Sequence, residues 1–134
     1  MIRPLALIAM IALGVLTATL GIAAPASPNL DVQEGDYISR NFRFGSGETL
    51  PELRLHYSTL GHPRRDANGH VTNAVLILHG TGGSGKQFLR PQFAGVLFAP
   101  GGLLDPARYY IILPDGIGHG KSSKPSDGMH ASFP

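Results

Sequence analysis

An apolar run that meets a glycine-rich loop, AVLILHGTGGSG at residues 74–85, constrains the fold of this 134-residue chain most. Residues 74–78 show no polar alternation, which is typical of a strand buried on both faces near the centre of a parallel sheet. The glycines that follow, Gly80, Gly82, Gly83 and Gly85, let backbone N–H groups approach a bound anion. Residues 79–85, the glycine loop, are therefore the first candidate for a functional site.

Two nucleotide-binding motifs fit the glycine loop. Gly80 to Lys86 matches the phosphate-loop pattern G-x-x-x-x-G-K, but Gln87 stands where that motif has a Ser or Thr for magnesium. The glycines also match the dinucleotide pattern G-x-G-x-x-G, with Asp115 as the acid that would bind a ribose. Three prolines in the segment between the two apolar runs oppose this second interpretation, because they interrupt the single helix that should follow the loop.

A catalytic motif and an inert turn are the other interpretations. In acyl transfer, a backbone N–H that follows a His-Gly pair can stabilise the negative oxygen of the reaction intermediate, which makes the segment an oxyanion loop. This motif alone accounts for His79 as well as the glycines. A flexible turn without any ligand explains the glycines equally simply, so the loop by itself leaves these interpretations open.

Residues 1–26 carry targeting information. Arg3 precedes an uncharged apolar run at residues 5–24, and Ala24-Pro25-Ala26 forms an A-x-A cleavage site. We therefore predict a signal peptide at residues 1–26, export to the periplasm or the cell exterior, and a flexible arm at residues 27–36. An uncleaved membrane anchor is the alternative, because the run is close to the shortest that spans a bilayer. We expect contact with a membrane only through this leader.

Charge and cysteine content exclude several classes of function. The chain has 11 Lys and Arg against 9 Asp and Glu, and these basic residues form no clustered face for nucleic acid. The absence of Cys excludes a disulfide framework. His56, His62 and His70 have neither the spacing nor the companion ligands of a metal site, so we expect them at the surface. We predict no cofactor, no metal and no nucleic-acid partner.

The remaining segments predict an α/β architecture. Residues 37–44 and 52–60 flank a Gly-Ser-Gly turn and form an antiparallel hairpin at the edge of a sheet. Residues 87–98 form a helical region interrupted by Pro91, and residues 109–113, YYIIL, form a second buried strand. Two buried strands joined by a crossover should pair in parallel, and ligands bind beyond the carboxyl ends of such strands.

A second loop, DGIGHGKSSKP at residues 115–125, has the pattern D-x-x-G-H-G-x-S-x-x-P. Together with His79-Gly80 it resembles the α/β-hydrolase superfamily, which has a His-Gly oxyanion loop after its third strand and this second pattern after its fourth. Residues 46–51 and 104–110 are similar to the homoserine O-acetyltransferase branch and its exported hydrolase relatives. The resemblance covers residues 37–134 and implies the N-terminal, incomplete part of an α/β-hydrolase sheet.

The resemblance also implies roles for residues of both loops. Thr81 would donate its backbone N–H to the oxyanion, and Gly80 and Gly82 would let the loop approach the substrate. Structural roles at the site fall to residues that hold the two loops in place: His79, Asp115, Gly118, His119 and Gly120. Ser122 is not expected to be a nucleophile, because its surroundings lack the G-x-S-x-G elbow.

Nucleophile, acid and base of this superfamily follow its fourth strand, so we expect them beyond Pro134. The implied function is hydrolysis of an ester or amide by a serine nucleophile of an exported enzyme that acts on a small acyl substrate, and we expect residues 1–134 alone to be inactive. Acyl transfer of the homoserine O-acetyltransferase type is the alternative, although that branch usually has His-Ala-Leu-Thr-Gly at its oxyanion loop. A phosphate-loop or dinucleotide-binding module is the alternative from another class.

Overall fold

The computed structural model describes residues 29–134. The predicted signal peptide at residues 1–26 lies outside the described residues. None of the helices within residues 29–134 combines the length and the apolar character needed to cross a bilayer.

A four-stranded mixed sheet forms the body of the described chain. Its strands are β1 (Val32–Arg43), β2 (Thr49–Leu60), β3 (Ala74–Leu76) and β4 (Tyr110–Pro114), in the spatial order β1-β2-β4-β3. β2 pairs antiparallel with both β1 and β4, whereas β3 and β4 are parallel. The prediction of an antiparallel hairpin followed by a parallel pair with a crossover is therefore confirmed.

Short helices fill the crossover between β3 and β4. A 3₁₀ helix spans Gly85–Leu89, and α1 (Pro91–Leu97) follows it. Pro91 occupies the first turn of α1, where the missing N–H costs no intrahelical hydrogen bond and the fixed φ suits the helix. Two further 3₁₀ helices, Pro125–Asp127 and His130–Ser132, follow the second loop.

The hydrophobic core lies between the sheet and α1. Its buried members come from β2, β4, both helices of the crossover and the residue that follows α1: Leu60, Phe88, Ala94, Phe98, Ile111 and Leu113. Phe98 is 1 % exposed, and Ile111 and Leu113 are fully buried. Burial of these apolar surfaces fixes β4 against α1, and this positions the two loops that follow β3 and β4.

β1 begins earlier than the sequence indicated. Val32 pairs with Leu60, and Gly35 pairs with Tyr57, so the prediction of a flexible arm through residue 36 is wrong for residues 32–36. The polar composition of this stretch concealed the strand, since its acidic side chains meet cationic partners that lie far away in the sequence.

His56 in β2 is buried, with 6 % of its surface exposed, which contradicts the predicted surface position. Its Nδ1 lies 2.7 Å from Asp36 Oδ1, and its backbone N–H donates to Ser122 Oγ at 2.9 Å. Ser58 and Thr59 are buried as well, so this half of β2 encloses three polar side chains. The other two histidines of this region are exposed, as predicted.

β3 is shorter and more exposed than predicted. The strand ends at Leu76, although the Ile77 N–H still donates to the Ile112 carbonyl at 3.0 Å. Leu76 and Leu78 are 60 % and 67 % exposed. The prediction that β3 is buried on both faces is wrong. Within residues 29–134, β3 lies at the edge of the sheet and pairs with β4 alone.

Candidate active site

The parallel strands bring the glycine loop and the second loop together. β3 and β4 run in the same direction, so both loops leave the sheet at the same end. The Gly116 N–H donates to His79 Nε2, and the Gly85 N–H donates to Asp115 Oδ1, both at 2.8 Å. The glycine loop and the second loop are therefore in direct contact.

Asp115 is the buried group that holds both loops. The residue is 4 % exposed, and its Oδ1 and Oδ2 accept the backbone N–H groups of Gly85 and Lys121, each at 2.8 Å. Its own N–H donates to the His56 carbonyl at 2.8 Å. Hydrogen bonds to an ionised acceptor are stronger than neutral ones, so this carboxylate fixes the glycine loop, the second loop and β2 relative to one another.

Two histidines add a second connection between the loops. His79 Nδ1 lies 2.8 Å from the Gly80 carbonyl oxygen. On the second loop, His119 Nε2 accepts the Gly82 N–H at 3.3 Å, and its Nδ1 lies 3.1 Å from the Ile117 carbonyl oxygen. The two imidazole rings are 5.3 Å apart between centroids. Each ring therefore contacts the backbone of the glycine loop.

The glycines of the site differ in why the fold requires them. Gly82, Gly118 and Gly120 have φ values of +76°, +84° and +53°, which residues with a side chain rarely adopt. At Gly120 a Cβ would also collide with the Asp115 carboxylate. Gly80 has neither constraint, since no other atom lies within 4 Å of the position a Cβ would take.

A cleft of 570 Å³ opens beside the glycine loop. It is lined by Thr81, Gly82, Gly83, Ser84, Lys86, Gln87, Arg90 and Gly120. Among the hydrogen bonds formed within residues 29–134, none uses the Thr81 N–H. The neighbouring N–H groups are occupied, because Gly82 donates to His119 and Gly83 donates to the Gly80 carbonyl at 3.1 Å. Thr81 therefore brings an available donor to the lining of the cleft.

Ser122 has a structural environment. It is fully buried, its Oγ donates to the Asp115 carbonyl at 2.7 Å, and the same Oγ accepts the His56 N–H at 2.9 Å. The neighbouring Ser123 accepts the Arg54 N–H through its Oγ at 3.0 Å. Both serines attach the second loop to β2, and the Ser122 hydroxyl has no open face for a substrate.

A charged cluster beside the site escaped sequence analysis. Glu34 of β1 binds the ammonium groups of Lys86 and Lys121 through its two carboxylate oxygens, each at 2.6 Å. Lys86 follows the glycine loop, and Lys121 belongs to the second loop. The His56 Nε2 lies 3.4 Å from Glu34 Oε2. No sequence signal links these residues, since Glu34 lies in a polar stretch far from Lys86 and 87 positions from Lys121.

The cluster changes the proton affinities of its members. The hydrogen bonds from Lys121 and Lys86 lower the pKa of Glu34 from 4.5 to about 2. The same carboxylate raises the pKa of Lys121. Glu34 and Lys121 are therefore charged across the physiological range, and the contacts of Glu34 with Lys121 and Lys86 connect both loops to β1. Within residues 29–134, no three His, Asp or Glu side chains are grouped to hold a metal ion.

Comparison with known proteins gives the relationship of this chain. No protein-family model matches it. A probable acyltransferase of Methanothermobacter thermautotrophicus is 34 % identical over 94 residues, which is 69 % of this chain and 28 % of that relative. An acetylester hydrolase of Corynebacterium glutamicum has a similar structure, with a TM-score of 0.56 and 24 % identity over 69 % of this chain and 24 % of the hydrolase. A homoserine O-acetyltransferase of Staphylococcus aureus gives a TM-score of 0.53 with 21 % identity over 78 % of this chain and 30 % of the transferase.

The chain is similar in sequence and in fold to enzymes of the α/β-hydrolase superfamily. Further curated relatives are named homoserine O-acetyltransferases, so the enzymes to which this chain is related by family include both hydrolases and acyltransferases. The suspected resemblance and the predicted fold class are confirmed. The chain spans 28 % or less of the length of the curated relatives it matches.

The geometry of this α/β-hydrolase site disfavours a phosphate loop. The Gly85 N–H that would face a phosphate donates to the Asp115 carboxylate, and the Lys86 ammonium binds Glu34 at 2.6 Å. Asp115 is 4 % exposed, and each of its carboxylate oxygens already accepts a backbone N–H, so it presents no accessible face to a ribose. The two nucleotide-binding alternatives therefore lose the groups on which they depend.

Proposed function

We propose that the chain is the N-terminal part of an exported α/β-hydrolase-fold enzyme that hydrolyses an ester or amide of a small molecule. In this proposal the glycine loop is the oxyanion loop, and Thr81 donates its backbone N–H to the oxyanion. Gly80 and Gly82 permit the approach of the substrate, whereas the structural roles belong to His79, Asp115, Gly118, His119 and Gly120. A serine nucleophile with its base and acid would come from a segment after residue 134, so residues 1–134 alone would be inactive.

The Thr81 N–H is the observation that carries the proposal. Thr81 lines the cleft beyond the carboxyl ends of the parallel strands, and no acceptor within residues 29–134 uses its N–H. The peptides around it are already fixed by hydrogen bonds to His79 and His119. A preorganised donor of this kind stabilises developing negative charge without reorganisation during the reaction.

Hydrolysis is favoured over acyl transfer by two features. A predicted exported enzyme has little access to acetyl-CoA. The glycine loop has His79-Gly80-Thr81-Gly82-Gly83 where the acetyltransferase branch usually has His-Ala-Leu-Thr-Gly. Acyl transfer stays the second candidate, because curated relatives carry that name.

The test begins with the mature protein isolated from its own cells. Intact mass should show a chain that has lost about 26 leader residues and continues past residue 134. A serine-reactive fluorophosphonate should label this protein, and simple acetyl esters should be hydrolysed. The recombinant segment 27–134 should show neither reaction.

Three outcomes would contradict the proposal. A natural chain that ends at residue 134 would exclude serine catalysis of this type. Transfer from acetyl-CoA to homoserine without ester hydrolysis would favour the acyltransferase alternative. Nucleotide binding that is lost in Lys86→Ala would favour the phosphate-loop alternative.

A further inference from the structure

His79 is bonded on both sides of its ring, and this determines where its proton lies. The Gly116 N–H can only donate, so His79 Nε2, at 2.8 Å, must accept with its lone pair. The Gly80 carbonyl oxygen can only accept, so Nδ1, also at 2.8 Å, must carry the proton. The ring is therefore held as the neutral Nδ1–H tautomer, assigned from its two partners.

The acceptor of this proton belongs to the peptide that carries the proposed oxyanion donor. The Gly80 carbonyl and the Thr81 N–H are parts of one planar unit, and in a trans peptide they point in opposite directions. The Gly80 oxygen accepts two hydrogen bonds, from His79 Nδ1–H and from the Gly83 N–H at 3.1 Å. Fixing this oxygen therefore fixes the direction of the Thr81 N–H.

The next peptide is fixed in a similar way. His119 Nδ1 lies 3.1 Å from the Ile117 carbonyl oxygen, so this nitrogen carries the proton, and Nε2 accepts the Gly82 N–H at 3.3 Å. The Gly82 N–H shares a peptide unit with the Thr81 carbonyl. Both peptides that flank the Thr81 Cα are thus held by imidazole rings in the same tautomer.

We propose that His79 is a positioning residue for the oxyanion donor: its Nδ1–H tautomer, selected by the Gly116 N–H of the second loop, orients the Gly80–Thr81 peptide so that the Thr81 N–H faces the reacting oxygen. The inference rests on the proposed function. It goes further than a general connection between two loops, because it assigns different tasks to the two ring nitrogens. Nε2 accepts the Gly116 N–H of the second loop, and Nδ1–H orients the peptide that carries the Thr81 N–H.

Two amide substitutions separate these tasks in the complete enzyme. His79→Asn places an amide NH₂ near the position of Nδ1 and keeps the donor to Gly80, whereas His79→Gln places an amide oxygen near Nε2 and keeps the acceptor for Gly116. His79→Leu removes both hydrogen bonds. His70→Asn is the control, because His70 lies in an exposed loop with 78 % of its side chain exposed.

We expect the loss to appear in kcat with KM little changed, since the oxyanion develops in the transition state and is absent from the bound substrate. Loss of an oxyanion donor costs about 10²-fold to 10³-fold in kcat. His79→Leu and His79→Gln should approach about 10²-fold, His79→Asn should retain most of the activity, and His70→Asn should be unchanged. Equal losses in the Asn and Gln variants, or a larger loss in the Asn variant, would indicate a merely structural loop connection and overturn the proposal.

A measurement without catalysis keeps the inference separate from the proposed function. The imidazole ¹⁵N resonances of His79 in the wild-type protein, assigned by their disappearance in His79→Asn, should show the neutral Nδ1–H tautomer. An Nε2–H tautomer would overturn the inference even if the enzyme hydrolyses esters. An inactive complete enzyme in which His79 has the Nδ1–H tautomer would refute the proposed function and, with it, the catalytic role of this orientation.

Discussion

The Asp115 carboxylate takes the place in the glycine loop that an external anion takes in a phosphate loop. It accepts the Gly85 and Lys121 N–H groups while it is 4 % exposed. The cost of burying a polar group is offset when hydrogen-bond donors satisfy it. The consequence is that the residues adjoining this carboxylate tolerate little change in volume.

Gly85→Ala adds one methyl group next to the Asp115 carboxylate and tests how little extra volume this position tolerates. A Cβ at Gly85 would collide with the Leu113 carbonyl of β4, whereas at Gly80, in the same loop, it would meet no atom within 4 Å. We expect Gly85→Ala to destabilise the complete protein by about 1–3 kcal/mol, as overpacking in a buried site does. Thermal or denaturant unfolding would measure it, with Gly80→Ala as the control. Equal stability of the two variants would show that the β4 backbone yields at this point.

At the level of secondary-structure elements, β1 contributes more than an edge strand usually does. Its N-terminal half carries Glu34, which binds Lys86 beyond the glycine loop and Lys121 in the second loop. It also carries Asp36, which lies against buried His56. A strand at the far edge of the sheet from β3 therefore takes part in holding both loops of the site.

The lowered pKa of Glu34 predicts an acid-dependent loss of stability. Because its pKa falls from 4.5 to about 2 on folding, its contribution is fully present above pH 4.5 and is lost as the pH decreases through about 2. Glu34→Gln should therefore lower stability at neutral pH and flatten its dependence on pH in this interval. Denaturant unfolding between pH 2 and pH 7 would measure both effects.

Glu52→Gln is the matched control for this change. Glu52 is also a glutamate of the hairpin, but its one ion-pair partner within residues 29–134 is Arg40, at 3.6 Å, and both side chains are at least half exposed. Such pairs contribute little, so the pH profile should stay that of the wild type. A profile of Glu34→Gln that coincides with that of Glu52→Gln would contradict the assigned role of the cluster.

Sequence patterns predicted those parts of the fold that depend on local chemistry. Continuous apolar runs located β3 and β4, and Pro91 located the break between the two helices of the crossover. Each of these signals arises from a few neighbouring residues. The pairing of hairpin and parallel strands followed from them.

The errors occurred where distant residues decide. The start of β1 was missed because Glu34 and Asp36 are compatible with a strand only through partners far along the chain. The prediction of a surface position for His56 is wrong because Asp36 and Ser122, which lie against this residue, are far from it in the sequence. At the site, the glycines and His79 could be recognised from their spacing. The tautomer of that histidine and the direction of the Thr81 N–H depend on three-dimensional partners that no pattern encodes.

For the molecule as a whole, the uneven distribution of apolar surface is the main feature. Leu76 and Leu78 at β3 are 60 % and 67 % exposed, while the opposite end of the sheet has a polar edge strand. An edge strand with unpaired backbone groups and exposed leucines is a template for association with another chain. In the isolated segment, this surface should dominate the solution behaviour.

We therefore expect the segment 27–134 to associate as its concentration rises, and Leu78→Lys to reduce that association. A lysine at this edge adds charge where another strand would pair. Leu103→Lys is the control, because Leu103 is 73 % exposed but lies in the loop after α1. Sedimentation velocity over a range of concentrations would measure the effect. A monomeric segment, or equal effects of the two lysines, would contradict the role of the β3 edge.

The pairing of β2 with β4 also sets an order of events during synthesis. Leu60 lies opposite Ile111, about fifty residues later in the chain. At about 5–20 residues per second, the ribosome needs about 3–10 s to produce that partner. The hairpin of β1 and β2 can close within microseconds. For several seconds, the edge of β2 that later pairs with β4 therefore has no strand beside it. Ser58 and Thr59, which are buried in the folded chain, lie in the part of β2 that pairs with β4. Because these side chains are polar, this edge favours premature contacts between nascent chains less than an apolar edge would.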